Sequence, residues 1–193
     1  MKEVTLEIDG KEVKVKEGTT LLEAAKTVGV EIPTLCYHEK LEPYGACRIC
    51  SVEIKSGNRT RLVAACVYPV EEGLVVNTKS ERVAKTRKML LELMLARAPS
   101  AKKIEDLAYE YGVDKARFEK ESFFCILCGL CVRYCAEVKK KNAITFIGRG
   151  TEREVMFIPE IASRECPSCQ ECFDLCPTDG LRANFLLAQA LTF

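Results

Sequence analysis

Residues 125–135 read CILCGLCVRYC and residues 166–176 read CPSCQECFDLC, so that both runs have the spacing C-x2-C-x2-C-x3-C. Three thiolates separated by two residues on a tight turn reach three corners of one four-iron cube. The fourth, three residues further on, cannot fold back to that cube and serves the cluster of the other run. This pattern predicts one [4Fe-4S] cluster on Cys125, Cys128, Cys131 and Cys176, and a second on Cys166, Cys169, Cys172 and Cys135. The second run closes with Cys176-Pro177, as such runs do, whereas the first has Ala136 in the proline's place. Phe123, Phe124, Ile126, Leu127, Leu130 and Val132 surround the first run and predict a dry environment, which disfavours added charge on a cluster. Zinc ligation or disulfides are the plainer alternatives for so many cysteines.

The chain has 193 residues, twelve of them cysteine, with 29 Lys and Arg against 28 Asp and Glu. That length buries one substantial core or two small ones without covalent staples. A net charge of +1, with both signs spread along the chain, argues against a nucleic-acid surface. The opening MKEVTLEIDG carries acids and no apolar core, so no secretory signal is expected. No stretch approaches 18 uninterrupted apolar residues, so no membrane span is expected either. A soluble, cytoplasmic protein follows, and in a reducing cytosol its cysteines are expected to be metal ligands.

Upstream, EVTLEIDGKEVKVK (residues 3–16) alternates apolar and polar residues on either side of Asp9-Gly10 and predicts a hairpin. Thr19 or Thr20 caps a following helix, with Glu23 placed to complete a capping box from Thr20, apolar positions at Leu21, Leu22, Ala25 and Val28, and an end at Gly29. A loop punctuated by Pro33, Pro43 and Gly45 leads to strand-like SVEIKSG and RLVAACVYPV, separated at Gly57-Asn58. The expected order is strand, strand, helix, cysteine loop, strand, strand. This region holds Cys36, Cys47, Cys50 and Cys66, spaced C-x10-C-x2-C-x15-C. Three thiolates from one loop and a fourth from a distant segment suit a [2Fe-2S] cluster, although the first gap is longer than the plant-type C-x4-C. Small Gly45 and Ala46 before Cys47 let backbone N–H groups approach the cluster sulfurs. A four-cysteine zinc site would ordinarily pair two C-x2-C knuckles, and only one is present.

Between the two cysteine-bearing modules, SERVAKTRKMLLELMLARA (residues 80–98) predicts a helix with an apolar face at Val83, Met89, Leu90, Leu93, Met94 and Leu95. A shorter helix, AKKIEDLAYEYG, ends at Gly112, and strands are expected in AITFIGRG and REVMFIP. His38, the only histidine, follows Cys36 by two residues, but four thiolates already complete that site. Gly148-Arg149-Gly150 lacks the strand, turn and helix context of a dinucleotide site, and no P-loop, flavin or nicotinamide motif is present. No catalytic residue is assigned.

Taken together, Cys36, Cys47-Arg-Ile-Cys50 and Cys66, a joining helix, and the stretches FFCILCGLCVRYCAEVKKKNAITFIGRG and ECPSCQECFDLCPTDGL resemble the N-terminal region of the large iron–sulfur subunit of NADH dehydrogenase (respiratory complex I). They are also similar to the small diaphorase subunit of NAD(P)-linked bidirectional hydrogenases and to the front end of iron-only hydrogenases and some formate dehydrogenases. The resemblance implies an α+β chain in three parts. These are a β-grasp [2Fe-2S] ferredoxin domain over 1–79, a helical bridge over 80–118 and a ferredoxin-like domain with two [4Fe-4S] clusters over 119–193. Such relatives carry a further four-iron cluster bound by one histidine and three cysteines between the two modules. Here that position reads LARAPSAKKIEDLAYEYG, without His or Cys.

The implied role is relay of single electrons between a flavin-bearing NAD(P)H oxidoreductase subunit and a catalytic partner of hydrogenase type, within a soluble hetero-oligomer. A freely diffusing multi-cluster ferredoxin is the alternative, and a zinc-binding structural protein a more distant one. The chain closes with ANFLLAQALTF, which carries Phe185, Leu186, Leu187, Leu191 and Phe193 and no charge. This segment is expected either to fold back over its own four-iron domain or to insert into a partner.

Overall fold

The computed structural model describes residues 2–115, 117–121 and 123–192. Two compact units divide the chain, one of Met1–Tyr37 with Pro43–Leu90, the other of His38–Glu42 with Leu91–Phe193.

In the first unit the alternation of residues 3–16 becomes β1 (Glu3–Ile8) and β2 (Lys11–Lys16), paired antiparallel from Glu3–Lys16 to Ile8–Lys11. Asp9 and Gly10 both take positive φ, 49° and 81°, as a type I′ turn requires. Helix α1 (Leu21–Thr27) starts in the predicted capping box: the Thr20 hydroxyl accepts from the Glu23 N–H at 3.3 Å, and the Glu23 carboxylate accepts from the Thr20 N–H at 2.9 Å. It closes ahead of Gly29, at φ 69°. Strands β3 (Ser51–Ser56) and β4 (Arg59–Ala64) form the second hairpin about Gly57-Asn58. Leu6, Ile8, Leu21, Leu22, Val52, Ile54 and Val76 lie in one buried cluster beneath the sheet.

A fifth strand, β5 (Val75–Asn77), has no counterpart among the elements expected from the sequence. It pairs parallel with β1 and antiparallel with β3, giving the order β2-β1-β5-β3-β4 and completing the β-grasp sheet. Three residues are too few for alternation to register, and β5 gains its place from the neighbours on either side. The stretch expected as one strand to Val70 instead leaves the sheet after Ala64, which frees Cys66 to turn away from the ladder.

Helix α2 (Glu81–Arg97) begins at the predicted serine, whose hydroxyl accepts from the Val83 N–H at 3.2 Å; the division between the units falls between Leu90 and Leu91. Its buried positions are Val83, Arg87, Leu91, Glu92 and Leu95, whereas Met89 and Leu93 of the expected apolar face are exposed. Arg87 and Glu92 are polar residues on the buried side, and each is satisfied: Arg87 donates to the carbonyls of Ile49 and Ser51 at 3.1 and 3.0 Å, and Glu92 pairs with Arg117 at 2.8 Å.

The second unit continues with α3 (Lys102–Glu110), a single helical turn α4 (Leu130–Arg133) running into a π-turn at Tyr134–Val138, and the antiparallel pair β6 (Ile144–Ile147) and β7 (Glu154–Phe157). Helices α5 (Pro159–Cys169) and α6 (Gly180–Thr192) follow. Helix α6 carries the uncharged segment beyond Arg182, and it folds back: Phe185 is buried with its ring 5.3 Å from Phe157 and 5.2 Å from Phe173. Leu186 and Leu187, each 60% exposed, face away. Phe193 and the Leu191 side chain, also part of that tail, lie outside the described residues.

Candidate metal centres

Cys36, Cys47, Cys50 and Cys66 are all buried. Cys36, Cys47 and Cys50 lie in the loop between α1 and β3, and Cys66 follows β4, so one loop delivers three thiols and the segment after the second hairpin the fourth. The Cys50 and Cys66 sulfurs are 3.4 Å apart, and the Cys47 N–H donates to the Cys36 sulfur at 3.4 Å. The Cys66 side chain holds a hydrogen bond to Cys50, which pulls the Cys50 thiol down to about 7. The same bond, together with burial, pushes Cys66 up, and Cys47 rises through its contact with Cys36 and burial. Thiols paired in this way share protons that a metal would displace on binding.

Gly45 takes φ 69°, and a Cβ placed there would sit 3.3 Å from the Val67 side chain. Close packing on Val67 and the left-handed backbone therefore explain the glycine. Arg48, between Cys47 and Cys50, is also left-handed at φ 59°. His38 belongs to the second unit, where its ring meets Tyr134 edge-on at 5.5 Å and its Nδ1 accepts from the Lys40 N–H at 3.2 Å.

Two cavities in the second unit gather the other eight cysteines. Cys125, Cys128, Cys131 and Cys176 line one, with Ile126, Leu130, Val155 and Leu181. Cys135, Cys166, Cys169 and Cys172 line the other, with Tyr134, Lys139, Lys141 and Phe173. Each cavity thus combines three thiols of one run with the last thiol of the other. Among the described residues no three His, Cys, Asp or Glu side chains close on one point as a single ion would require.

The local backbone explains this division. Leu127 at φ 54° and Gly129 at φ 78° curl the first run into a loop, and the Leu127 N–H donates to the Cys125 sulfur at 3.3 Å. The π-turn that follows carries Cys135 on past that loop, where the Ala143 N–H donates to its sulfur at 3.2 Å. The second run is not one tight turn: Cys166 and Cys169 sit on the last turn of α5, which Gln170 ends at φ 48°, and only Cys172 and Cys176 follow in loop. Thr178 donates to the Phe124 carbonyl at 2.6 Å and lies 3.3 Å from the Cys176 sulfur.

Burial pushes Cys131 up, reinforced by the charges of Cys128, Cys125 and Cys176. It pushes Cys172 up to about 12, reinforced by Cys135, Cys166 and Cys169, and Cys166 up to about 11. These thiols act on one another across the runs. Four sulfurs on the wall of one cavity are a donor set that fits a polynuclear thiolate-bound group.

The expected apolar surround is only partly present. Leu130 is buried and Ile126 lines the cavity, but Phe124 is 49% exposed, and the second cavity presents two lysines, paired with Glu171 and Glu165 at 2.5 and 2.6 Å. Arg87, Thr178 and the Tyr134–Glu171 hydrogen bond of 3.0 Å have no place in the sequence-based expectations. Of these only Arg87, a charge within an apolar helix face, leaves a trace in the pattern.

Residues 1–81 match the 2Fe-2S iron-sulfur cluster binding domain, and residues 124–179 match the 4Fe-4S dicluster domain. The chain is therefore an iron–sulfur protein with a two-iron β-grasp domain followed by a dicluster domain. It is similar to NADPH-Fe(3+) oxidoreductase subunit alpha of Geobacter sulfurreducens, 34% identical over 203 residues that cover 92% of this chain and 24% of that one. To NADP-reducing hydrogenase subunit HndD of Solidesulfovibrio fructosivorans it is 32% identical over 94% of this chain and 36% of that one. A chain in the crystal structure of NAD+-reducing [NiFe]-hydrogenase in the H2-reduced state superposes with a TM-score of 0.70 at 31% identity, covering 80% of this chain and 75% of that one. The chain belongs to this family of iron–sulfur subunits, which includes NADH-ubiquinone oxidoreductase 75 kDa subunit. It spans about a quarter to a third of the length of the curated relatives it matches. No helix among the described residues is long and apolar enough to cross a membrane.

Proposed function

We propose that the chain relays single electrons within a hetero-oligomer, between a flavin-bearing NAD(P)H oxidoreductase subunit and a redox catalytic partner, hydrogenase-type in the first instance. In this reading Cys36, Cys47, Cys50 and Cys66 hold one [2Fe-2S] cluster. Cys125, Cys128, Cys131 and Cys176 hold one [4Fe-4S] cluster, and Cys135, Cys166, Cys169 and Cys172 a second. The functional division is a two-iron domain over 1–79, a helical bridge over 80–118 and a dicluster domain over 119–193, acting in the cytoplasm. The observation that carries the reading is the pair of cavities, each lined by three thiols of one run and one of the other. Relatives named as subunits of NAD(P)-linked oxidoreductases and hydrogenases support a relay between such partners.

Bound iron–sulfur clusters supply reversible one-electron chemistry. The chain's own part is to furnish thiolates, to shield them from water and to set the charge around them. Backbone N–H groups of Leu127 and Ala143 donate to the Cys125 and Cys135 sulfurs and hold them in place. The burial that raises Cys131, Cys166 and Cys172 makes a metal-free site costly to ionise, so ligation and proton release go together. A near-zero net charge suits a fixed subunit better than a freely diffusing carrier steered by its field.

Visible bleaching of the loaded full chain under anaerobic conditions tests the assignment. NADH or NADPH alone is expected to leave the colour unchanged, and bleaching is expected once a flavin-containing NAD(P)H dehydrogenase is added. Direct reduction by either nucleotide in the absence of flavoprotein would overturn the relay reading.

A further inference from the structure

The last turn of α2 is fastened to the start of the first cysteine run. The Glu121 N–H donates to the Ala96 carbonyl at 2.8 Å, and Arg97 Nε donates to the Cys125 carbonyl at 3.2 Å. The Arg97 guanidinium lies over the Phe123 ring, 4.5 Å from its centroid, and its Nη1 approaches Glu121 at 3.5 Å. The remaining nitrogen, Nη2, is buried and has no hydrogen-bond partner among the described residues. A buried guanidinium nitrogen without an acceptor carries a desolvation cost that native proteins seldom leave uncompensated. The fixed geometry of a guanidinium limits relief: Nε and Nη1 are engaged and the ring holds one face, so Nη2 cannot be satisfied by rotating the side chain without giving up those contacts.

We infer that Arg97 is the charge-compensating residue of the first four-iron site, its unpaired Nη2 finding an acceptor in the sulfur shell that forms when the Cys125, Cys128, Cys131 and Cys176 site is loaded. The inference rests on the ligand sets proposed above. Arg97 already reaches this site, since its Nε holds the carbonyl of the first ligand, Cys125. Around the metal-binding cavity itself the other lining groups bear no charge, namely Phe124, Ile126, Leu130, Val155, Leu181 and the polar Thr178 and Asn184. Next to a cavity lining without charged side chains among the described residues, the Arg97 guanidinium, paired only at 3.5 Å with Glu121, has a share in deciding how readily the site accepts an electron. Added negative charge is stabilised by a nearby cation, and a low local dielectric strengthens the effect. The helix that precedes the run therefore contributes to its redox properties as well as to its placement.

The test is a potentiometric titration of the loaded full chain followed by EPR, with iron content measured in parallel, for Arg97→Gln and Arg97→Lys. Arg97→Gln is expected to lower the midpoint of one four-iron cluster and to leave the other four-iron and the two-iron midpoints in place. Arg97→Lys, which keeps the charge but not the planar fork, is expected to fall between that variant and the wild type. Unchanged midpoints in both variants at full iron content would overturn the inference. Loss of iron from the first site in both would overturn it too, assigning Arg97 a purely structural hold on the Cys125 loop. If the wild type itself lacks two four-iron signals, the ligand reading fails, and that result is distinct from either outcome for Arg97.

Discussion

Truncation after Arg182 is expected to abolish loading of both four-iron sites or to leave the chain insoluble. The cut removes Phe185, whose ring packs on Phe157 and Phe173 and is buried. Phe173 and Asn184, one the partner of that ring and the other lost with the tail, line the second and first cavities respectively. The loss of the aromatic cluster is thus felt at both sites. The milder Phe185→Ala is expected to cost about 3–5 kcal/mol, the usual range for emptying a buried aromatic position, read as a fall in the unfolding midpoint of the loaded chain. Changing the exposed Leu186 and Leu187 to Ser is expected to leave iron content and stability nearly unchanged. A truncated chain that keeps its full iron would show that the tail is dispensable to the domain and serves a partner.

The second large effect is expected from Cys135→Ser. Cys135 belongs by sequence to the run that begins at Cys125, yet it lines the cavity of Cys166, Cys169 and Cys172. The π-turn at Tyr134–Val138 carries it there, and the Ala143 N–H meets its sulfur on that side. A serine oxygen in its place is a poor ligand for a cluster that favours thiolate. The cluster of the later run should be lost or reduced to a labile form, with a fall of up to about 4 irons per chain. The EPR signal of the site holding Cys125, Cys128, Cys131 and Cys176 should persist. Loss confined to that nearer site would mean that each run serves its own cluster.

Much of this arrangement is legible in the sequence because spacing constrains chemistry more tightly than it constrains shape. The twelve cysteines and their grouping, the Asp9-Gly10 turn and the Thr20–Glu23 capping box each depend on a few adjacent residues, and the turn and the box stand where the pattern places them. What escapes such a reading depends on distant neighbours. Strand β5 is three residues long and exists because β1 and β3 flank it. The buried side of α2 is shifted from the expected one, because Arg87 and Glu92 are taken inward by partners at Ile49, Ser51 and Arg117 while Met89 and Leu93 stay outside. The role of α5 in carrying Cys166 and Cys169 is hidden by Pro167, which reads as a helix breaker yet sits inside that helix. Arg97 carries no mark in the pattern, since a basic residue near a helix C-terminus is ordinary and only the lack of a partner for its Nη2 among the described residues sets it apart.

Iron and acid-labile sulfide analysis of the anaerobically purified full chain, combined with EPR at several temperatures, shows whether the twelve thiols hold three clusters of two kinds. About 10 irons and about 10 sulfides per chain are expected, with one two-iron and two four-iron signals on reduction. A colourless chain containing zinc and no labile sulfide would contradict this, as would a fourth cluster signal from the isolated chain.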